Sequence, residues 1–273
     1  MANITIRWAG ASDAASGSTY KVERTVDNSN WSTLAAAQAA TSPYAADTTT
    51  LNGSAAYGAT SVVLTDATAF ATSGYAWLDD ALIQWTGKSS NTLTGVVWHS
   101  GYGTYATGTT IYEAHESYAD TGVTIGLNAV LYRITHTDAS GNVSAPAYLW
   151  YYSPPVPASS RHCVVIVPLG SDLGVTMQAS EIVTCQLGAD DQFGLAAGPH
   201  LDQNEGTDNS QTTNAFGLAF FHCWKNLARE GQAGASDAVY TFTLKPGTGE
   251  RTVTVTTIPD MDWVLLSQVA DAE

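Results

Sequence analysis

Three cysteines and their neighbouring histidines are the side chains best suited to metal or redox chemistry. Cys163 and Cys223 each follow a histidine, and Cys185 lies between them in the chain. Thiolates and imidazoles are zinc ligands, but adjacent strand residues such as His222 and Cys223 point to opposite faces. We therefore expect buried free thiols. A disulfide is the alternative: Cys163 pairs with Cys185 if their strands are neighbours, and Cys223 then reaches another subunit.

Acidic and amide oxygens crowd residues 200–209, where Asp202, Asn204 and Asp208 supply the hard oxygens that calcium prefers. The spacing lacks the glycine and the terminal bidentate glutamate of an EF-hand loop. A solvated acidic loop is therefore the preferred interpretation, and a calcium site is the weaker alternative.

The sequence contains none of the common catalytic patterns. It has no P-loop, no GxSxG elbow, no HExxH motif and no GxGxxG motif after a strand. We therefore predict that the chain is not an enzyme, has no catalytic residues and uses no cofactor or bound metal.

Aromatic residues form two clusters that predict contact surfaces, because exposed aromatic rings bind sugars and protein partners. The first cluster, a candidate receptor or glycan contact, consists of Trp98, His99, Tyr102 and Tyr105. The second, a candidate protein interface, consists of Trp150, Tyr151 and Tyr152, which are consecutive and cannot all face inward. Packing between domains is the alternative for the second cluster.

Charge and composition exclude several classes of protein. With 10 Lys and Arg against 25 Asp and Glu, the 273-residue chain has a net charge of −15, which argues against nucleic-acid binding. Charged residues make up 13% of the chain, about half of the usual 25%, so much of the surface is Thr, Ser, Asn and Gly. The sequence shows no signal-peptide pattern and no apolar run of about 20 residues, so we expect no membrane span.

Hydrophobic residues alternate with polar ones almost everywhere, as in residues 252–256, Thr-Val-Thr-Val-Thr. This period of two, interrupted by turn residues, predicts an all-β chain. The proline-rich segment 153–160 predicts an extended linker. We therefore expect β-sandwich modules in tandem, with a small β-meander or barrel inserted into the first.

Residues 1–53 and 118–152 together resemble a fibronectin type III domain. The resemblance lies in the tryptophan of an early strand (Trp8), a tyrosine opening a later strand (Tyr132) and the turn D-x-x-G-N-x-S at residues 138–144. The pattern departs from the family because no first strand precedes residue 3. We expect that edge to be bare or completed by another chain, and Ile4 and Ile6 to be interface residues.

Residues 54–117 interrupt that domain and are similar to a small β module that recurs in virion proteins of tailed bacteriophages. The similarity lies in the segments GATSVVLTDATAF at residues 58–70 and ALIQWTGKSSNTLTGV at residues 81–96. Residues 161–273 resemble an immunoglobulin-like or carboxypeptidase-regulatory-like sandwich through TNAFGLAFF at residues 213–221. Their ending, with Ile-Pro-Asp at residues 258–260, is similar to a C-terminal module of phage fibre and tail proteins.

These resemblances imply a non-enzymatic structural protein of a phage virion. An oligomeric fibre, appendage or adaptor of the tail, neck or baseplate is the leading hypothesis, with itself and other virion proteins as partners. Two alternatives remain: an adhesin module that binds carbohydrate or a host surface, and a decoration protein of the head. We expect no nucleic-acid or membrane partner.

Overall fold

The computed structural model describes residues 1–43, 45–157, 162–171, 176–177, 179–187, 209–225, 240–244, 251–255 and 259–266. Every regular element within these ranges is a β-strand, which confirms the all-β prediction. The chain divides into two compact units. The first comprises Met1–Thr25, Ser29–Ile125 and Leu131–Tyr151, and the second comprises Val26–Asn28, Gly126–Val130 and Tyr152–Glu273.

The strands follow one another closely along the chain. Up to Tyr152 they are β1 Ala2–Trp8, β2 Thr19–Thr25, β3 Ser32–Ala39, β4 Thr48–Thr50, β5 Ala55–Ala56, β6 Ser61–Val63, β7 Gly74–Leu78, β8 Ala81–Trp85, β9 Gly87–Ser89, β10 Thr92–Thr94, β11 Val97–Trp98, β12 Thr104–Tyr105, β13 Thr110–Glu113, β14 Glu116–Val123, β15 Ala129–Thr137 and β16 Ala147–Tyr152. Beyond it they are β17 His162–Pro168, β18 Gly170–Ser171, β19 Thr176–Met177, β20 Ile182–Leu187, β21 Asn209–Thr212, β22 Leu218–Trp224, β23 Tyr240–Leu244, β24 Arg251–Val255 and β25 Trp263–Leu265.

A β-sandwich of two sheets forms one part of the first unit. One sheet pairs β1 with β14, and the other has the order β16-β15-β2-β3. Alternation directs Ile4, Ile6 and Trp8 of β1 into the core. The Trp8 ring meets the ring of Tyr20 on β2 edge-on, with centroids 5.5 Å apart. Burial of these apolar side chains holds the two sheets together.

A buried carboxylate joins the two sheets of this sandwich. Asp120, on β14, is 5% exposed and accepts hydrogen bonds from Arg24 Nη1 at 2.9 and 2.8 Å. The Tyr132 hydroxyl donates to the same carboxylate at 2.9 Å. Burial, followed by the contact with Asp120, raises the pKa of Tyr132, so this hydroxyl remains a donor. The negative charge of Asp120 is therefore paired and hydrogen-bonded, as a buried charge must be.

The insert packs around a core of its own. Its largest sheet has the order β11-β8-β7-β13-β4, and a smaller one has the order β6-β10-β9. Leu64, Ile83, Trp85 and Ile111 are among its buried core residues. Backbone hydrogen bonds from the Thr65 amide to the Thr50 carbonyl and from the Asn52 amide to the Val63 carbonyl link the two sheets at β4 and β6, but the described strands do not close into a barrel. The Lys88 ammonium donates to the backbone carbonyl oxygens of residues 67 and 70 and fastens the loop between β6 and β7.

Two glutamates of the first unit lie in opposite electrostatic surroundings. Glu23 contacts Lys21 Nζ at 2.7 Å and Arg133 Nη2 at 2.8 Å. Burial alone would raise its pKa, but these two cations outweigh burial, and the pKa of Glu23 is lowered. Glu113, in the insert, is 7% exposed and has no comparable ion pair among the described residues. Burial raises the pKa of Glu113, and the backbone hydrogen bond from Ala71 only partly opposes it.

The second unit contains two further principal sheets. In one, of order β22-β17-β25, the short β25 runs parallel to β17. The other has the order β21-β20-β23-β24. Phe221 of β22 and Phe242 of β23 meet edge-on with ring centroids 5.5 Å apart, so the two sheets face each other across a core. The predicted linker is described only as far as residue 157, and the predicted domain boundaries stay predictions.

Replacing Asp120 tests the carboxylate that joins the sheets. Asp120→Ala leaves Arg24 and the Tyr132 hydroxyl without their shared partner. We expect the free energy of unfolding to fall by about 3 kcal/mol. Urea unfolding followed by tryptophan fluorescence measures the change. Asp79→Asn, at an exposed carboxylate in the turn between β7 and β8, is the control, with an expected effect within about 0.5 kcal/mol. Equal effects of the two variants would contradict this role of Asp120.

The two glutamates predict opposite effects of pH. The folded-state pKa of Glu23 lies below the ordinary value of 4.5. Its carboxylate therefore stabilises the fold above that value, and the stabilisation is lost as the pH falls through the folded-state pKa. Glu23→Gln should lower the Tm at neutral pH. It should also make the Tm fall less steeply as the pH is lowered. Glu113→Gln should raise the Tm at neutral pH, because the folded-state pKa of Glu113 is raised and ionisation above it is unfavourable. The Tm of each variant is measured from about pH 3 to 7. A change of Tm in the same direction for both variants at neutral pH would contradict the opposite roles of the two glutamates.

Candidate functional site

The open side of β1 is the candidate functional site. Among the described residues, β1 pairs with β14 alone. A strand carries hydrogen-bonding groups on both sides, and a row left unpaired is a template for another strand.

Two side-chain hydrogen bonds show which backbone groups of β1 face the open side. Arg7 lies opposite Ser117. The Arg7 carbonyl accepts from Trp77 Nε1 at 3.1 Å, and the Ser117 carbonyl accepts from Gln38 Nε2, also at 3.1 Å. These two carbonyls therefore point away from each other, as in a pair that is not hydrogen-bonded. Since the pattern repeats every two residues, the backbone N–H and C=O of Thr5 also face the open side.

The residues that the sequence analysis selected on this strand have a different role. Ile4 and Ile6 are 3% and 7% exposed, so their side chains belong to the core of the sandwich. Their backbone groups face β14, since they alternate with those of Thr5. The outward groups are those of Thr5, whose side chain is exposed. The alternation of apolar and polar residues in β1 is enough to indicate that Ile4 and Ile6 are buried. Which backbone groups face outward follows only from the register of β1 against β14.

The open stretch of β1 is short because the insert covers one end and the register is irregular at the other. At one end the guanidinium of Arg7 lies 3.6 Å from the centre of the Tyr75 ring, which belongs to the insert. At the other end the register shifts between Ala2 and Ile4, and Asn3 Oδ1 accepts from the amide of Gly122 at 3.2 Å. Thr5 is therefore the centre of the accessible edge.

The predicted receptor or glycan cluster is divided between core and surface. The Trp98 ring stacks on Tyr105 with centroids 5.5 Å apart, and Tyr57 packs 5.7 Å away. Trp98 Nε1 donates to the carbonyl of Ala59 at 2.8 Å. Tyr105 is 7% exposed, and its hydroxyl donates to Asp80 at 2.8 Å. These contacts occupy the polar atom and much of the ring surface of Trp98, so the aromatic pair serves the core of the insert.

His99 and Tyr102 complete that predicted cluster. His99 is exposed, and its Nε2 lies 3.2 Å from Gln84 Oε1. Partial desolvation of its ring, followed by the nearby charge of Arg7, lowers the pKa of His99. Tyr102 is half-buried and its backbone amide donates to the Tyr105 hydroxyl at 3.2 Å. The role of these four residues as a receptor or glycan contact stays a prediction.

The second aromatic cluster lies on β16, the edge strand of the larger sandwich sheet. Trp150 and Tyr152 are half-buried, whereas Tyr151 is 37% exposed. The alternation of a strand thus separates the three side chains, as their consecutive positions required. Their role as an interface stays a prediction.

The remaining candidates concern metals and cysteine chemistry. Cys163, Cys185 and Cys223 are all free and buried. β17 and β20, which carry Cys163 and Cys185, belong to different sheets, so these strands are not the neighbours that the predicted pairing required. Within the described ranges, no three His, Cys, Asp or Glu side chains are arranged to hold a metal ion. The calcium candidates Asp202, Asn204 and Asp208 lie outside the described residues.

Comparisons with known proteins add little to this geometry. No protein family matches the chain, and no curated protein matches it. Two crystal structures of BcpA, the major pilin subunit of Bacillus cereus, one of them a variant, align with TM-scores of 0.22 and 0.21 at 10% and 9% identity. The alignments cover 96% and 90% of this chain but 62% and 57% of the pilin, so the chain spans about three fifths of its length. Similarity this weak supports no conclusion about function. Where the structure describes the chain, it contains no helix that is long and apolar enough to cross a membrane.

Proposed function

We propose that the chain is a non-enzymatic structural component of a tailed-phage particle, and that it assembles through the open edge of β1. A fibre, appendage or adaptor of the tail, neck or baseplate is the form that we favour. The observation that carries the assembly role is the outward backbone of Thr5 on a strand with one neighbour. The link to a phage particle rests on the sequence resemblance of residues 54–117.

A second copy of this chain is the partner that best fits the edge. The seven residues of β1 contain one charged side chain, Arg7, and no carboxylate. Two β1 strands can therefore approach without the repulsion that a net charge of −15 creates between other surfaces. In an antiparallel pair centred on a two-fold axis, the two Thr5 residues would exchange both of their backbone hydrogen bonds.

The same pairing fixes which residues of the two strands lie opposite each other. With Thr5 at the axis, Asn3 of one copy lies opposite Arg7 of the other. The Arg7 carbonyl already accepts from Trp77, so the new ladder ends there. A ladder this short requires further contacts around it, since a stable interface buries roughly 1,200 Å² or more.

A proline at position 5 tests the edge. Thr5→Pro removes the outward N–H but leaves the backbone groups that face β14 intact, which an edge strand tolerates. We expect the wild-type chain to form a dimer or a higher oligomer of its 28.7 kDa protomer, and the proline variant to be monomeric. Light scattering coupled to size-exclusion chromatography measures both masses.

Two further variants control this experiment. Thr5→Val keeps the N–H and the branched side chain, so it should remain oligomeric. Thr5→Lys places like charges opposite each other at the axis and should dissociate the oligomer even if the proline variant fails to fold. A monomeric wild-type chain, or a folded proline variant that keeps the wild-type mass, would contradict assembly through β1.

The assignment to a particle has a separate test. Mass spectrometry of purified phage particles that encode the chain should detect it at a stoichiometric copy number. Its absence from the particles would overturn the virion assignment but would leave the oligomerisation result unaffected. The two parts of the proposal can therefore fail independently.

A further inference from the structure

The three cysteines, far apart in sequence, meet in the core of the second unit. Cys163 on β17 lies directly opposite Cys223 on β22. Cys185, on β20, belongs to the other principal sheet. All three are at most 1% exposed. The core thus contains two thiols in one sheet and a third in the sheet that faces it.

The packing of two phenylalanines shows that Cys185 and Cys223 face each other. Cys185 lies opposite Phe242 in the register of β20 and β23, so both side chains project from the same face. Cys223 is two residues from Phe221 and shares its face of β22. Since the Phe221 and Phe242 rings are in contact, the two cysteines lie beside this contact on opposing sheets. Burial, followed by the nearby Cys185 thiol, raises the pKa of Cys223.

We propose that Cys185 and Cys223 form a disulfide that links the two sheets of the second unit under oxidising conditions. The neighbouring pair, Cys163 and Cys223, is less suited to a bridge. Directly opposed residues of antiparallel strands have Cβ atoms about 4.5–5.5 Å apart, whereas a disulfide requires about 3.5–4.5 Å. The hydrogen-bonded ladder holds these two strands at their spacing, while side chains on facing sheets approach by rotating about χ1.

Oxidised glutathione can serve as the oxidant. One cysteine thiol loses its proton and attacks the glutathione disulfide, which gives a mixed disulfide and one glutathione thiolate. The second cysteine thiol loses its proton and displaces the other glutathione. Two cysteine thiols become one disulfide, and one glutathione disulfide becomes two thiols, each of which takes up one of the released protons.

The closed core slows this exchange. Burial raises the pKa of Cys163 to about 12 and also raises the pKa of Cys223. The thiolate is the attacking species, so the bridge forms during folding or when the second unit opens. The inference concerns this unit alone and does not depend on the proposed assembly role.

Disulfide mapping on the full chain tests the proposal. The protein is equilibrated with reduced and oxidised glutathione in urea just below its unfolding midpoint, quenched with acid, alkylated and mapped by mass spectrometry. We expect the linked peptides to contain Cys185 and Cys223, with Cys163 alkylated. The oxidised protein should have a Tm higher by on the order of 10 °C.

Matched serine variants separate the two bridges. Cys163→Ser should give the same bridge in the same yield, and Cys185→Ser should lower the yield of intramolecular disulfide about tenfold. A predominant link between Cys163 and Cys223 in the wild-type chain would overturn the proposal. Alkylation of all three cysteines after equilibration would overturn it equally, and mapping of the wild-type chain decides the matter even if a variant fails to fold.

Discussion

Backbone hydrogen bonding on the two sides of β1 is the constraint on which the first unit depends. β14 satisfies one side, and the Trp77 indole satisfies the Arg7 carbonyl on the other. Every N–H and C=O of a strand needs a protein or water partner, so the groups of Thr5 must bond to solvent or to another strand. The sandwich is held by its core and by the Asp120 carboxylate, while the edge remains open to a second chain.

Much of the fold could be predicted from the sequence because it depends on local alternation. Trp8 and Tyr132, identified through the resemblance to fibronectin type III domains, are both buried and lie on β1 and β15. In residues 251–255 the threonines are exposed and Val255 is buried, as the period of two predicts. Where side-chain direction follows from neighbouring residues alone, the pattern is sufficient.

The features that carry the proposals depend on register and could not be predicted in this way. Asp120 meets Arg24 across 96 residues of sequence, and no local pattern specifies such a pair. Cys185 faces Cys223 only because β20 and β22 belong to opposing sheets. At the candidate site the alternation of β1 predicted that its two isoleucines share a face, but it did not reveal which backbone groups are open. The Trp77 hydrogen bond to Arg7 supplied that information.

Hydrogen exchange at the Thr5 amide tests the central claim most directly. The account predicts that this amide is protected at protein concentrations where the oligomer forms and exchanges rapidly after dilution to the monomer. The Ile4 and Ile6 amides, bonded within the sheet to β14, should remain protected at both concentrations. A Thr5 amide that exchanges rapidly at every concentration, although the protein is oligomeric, would contradict assembly through β1.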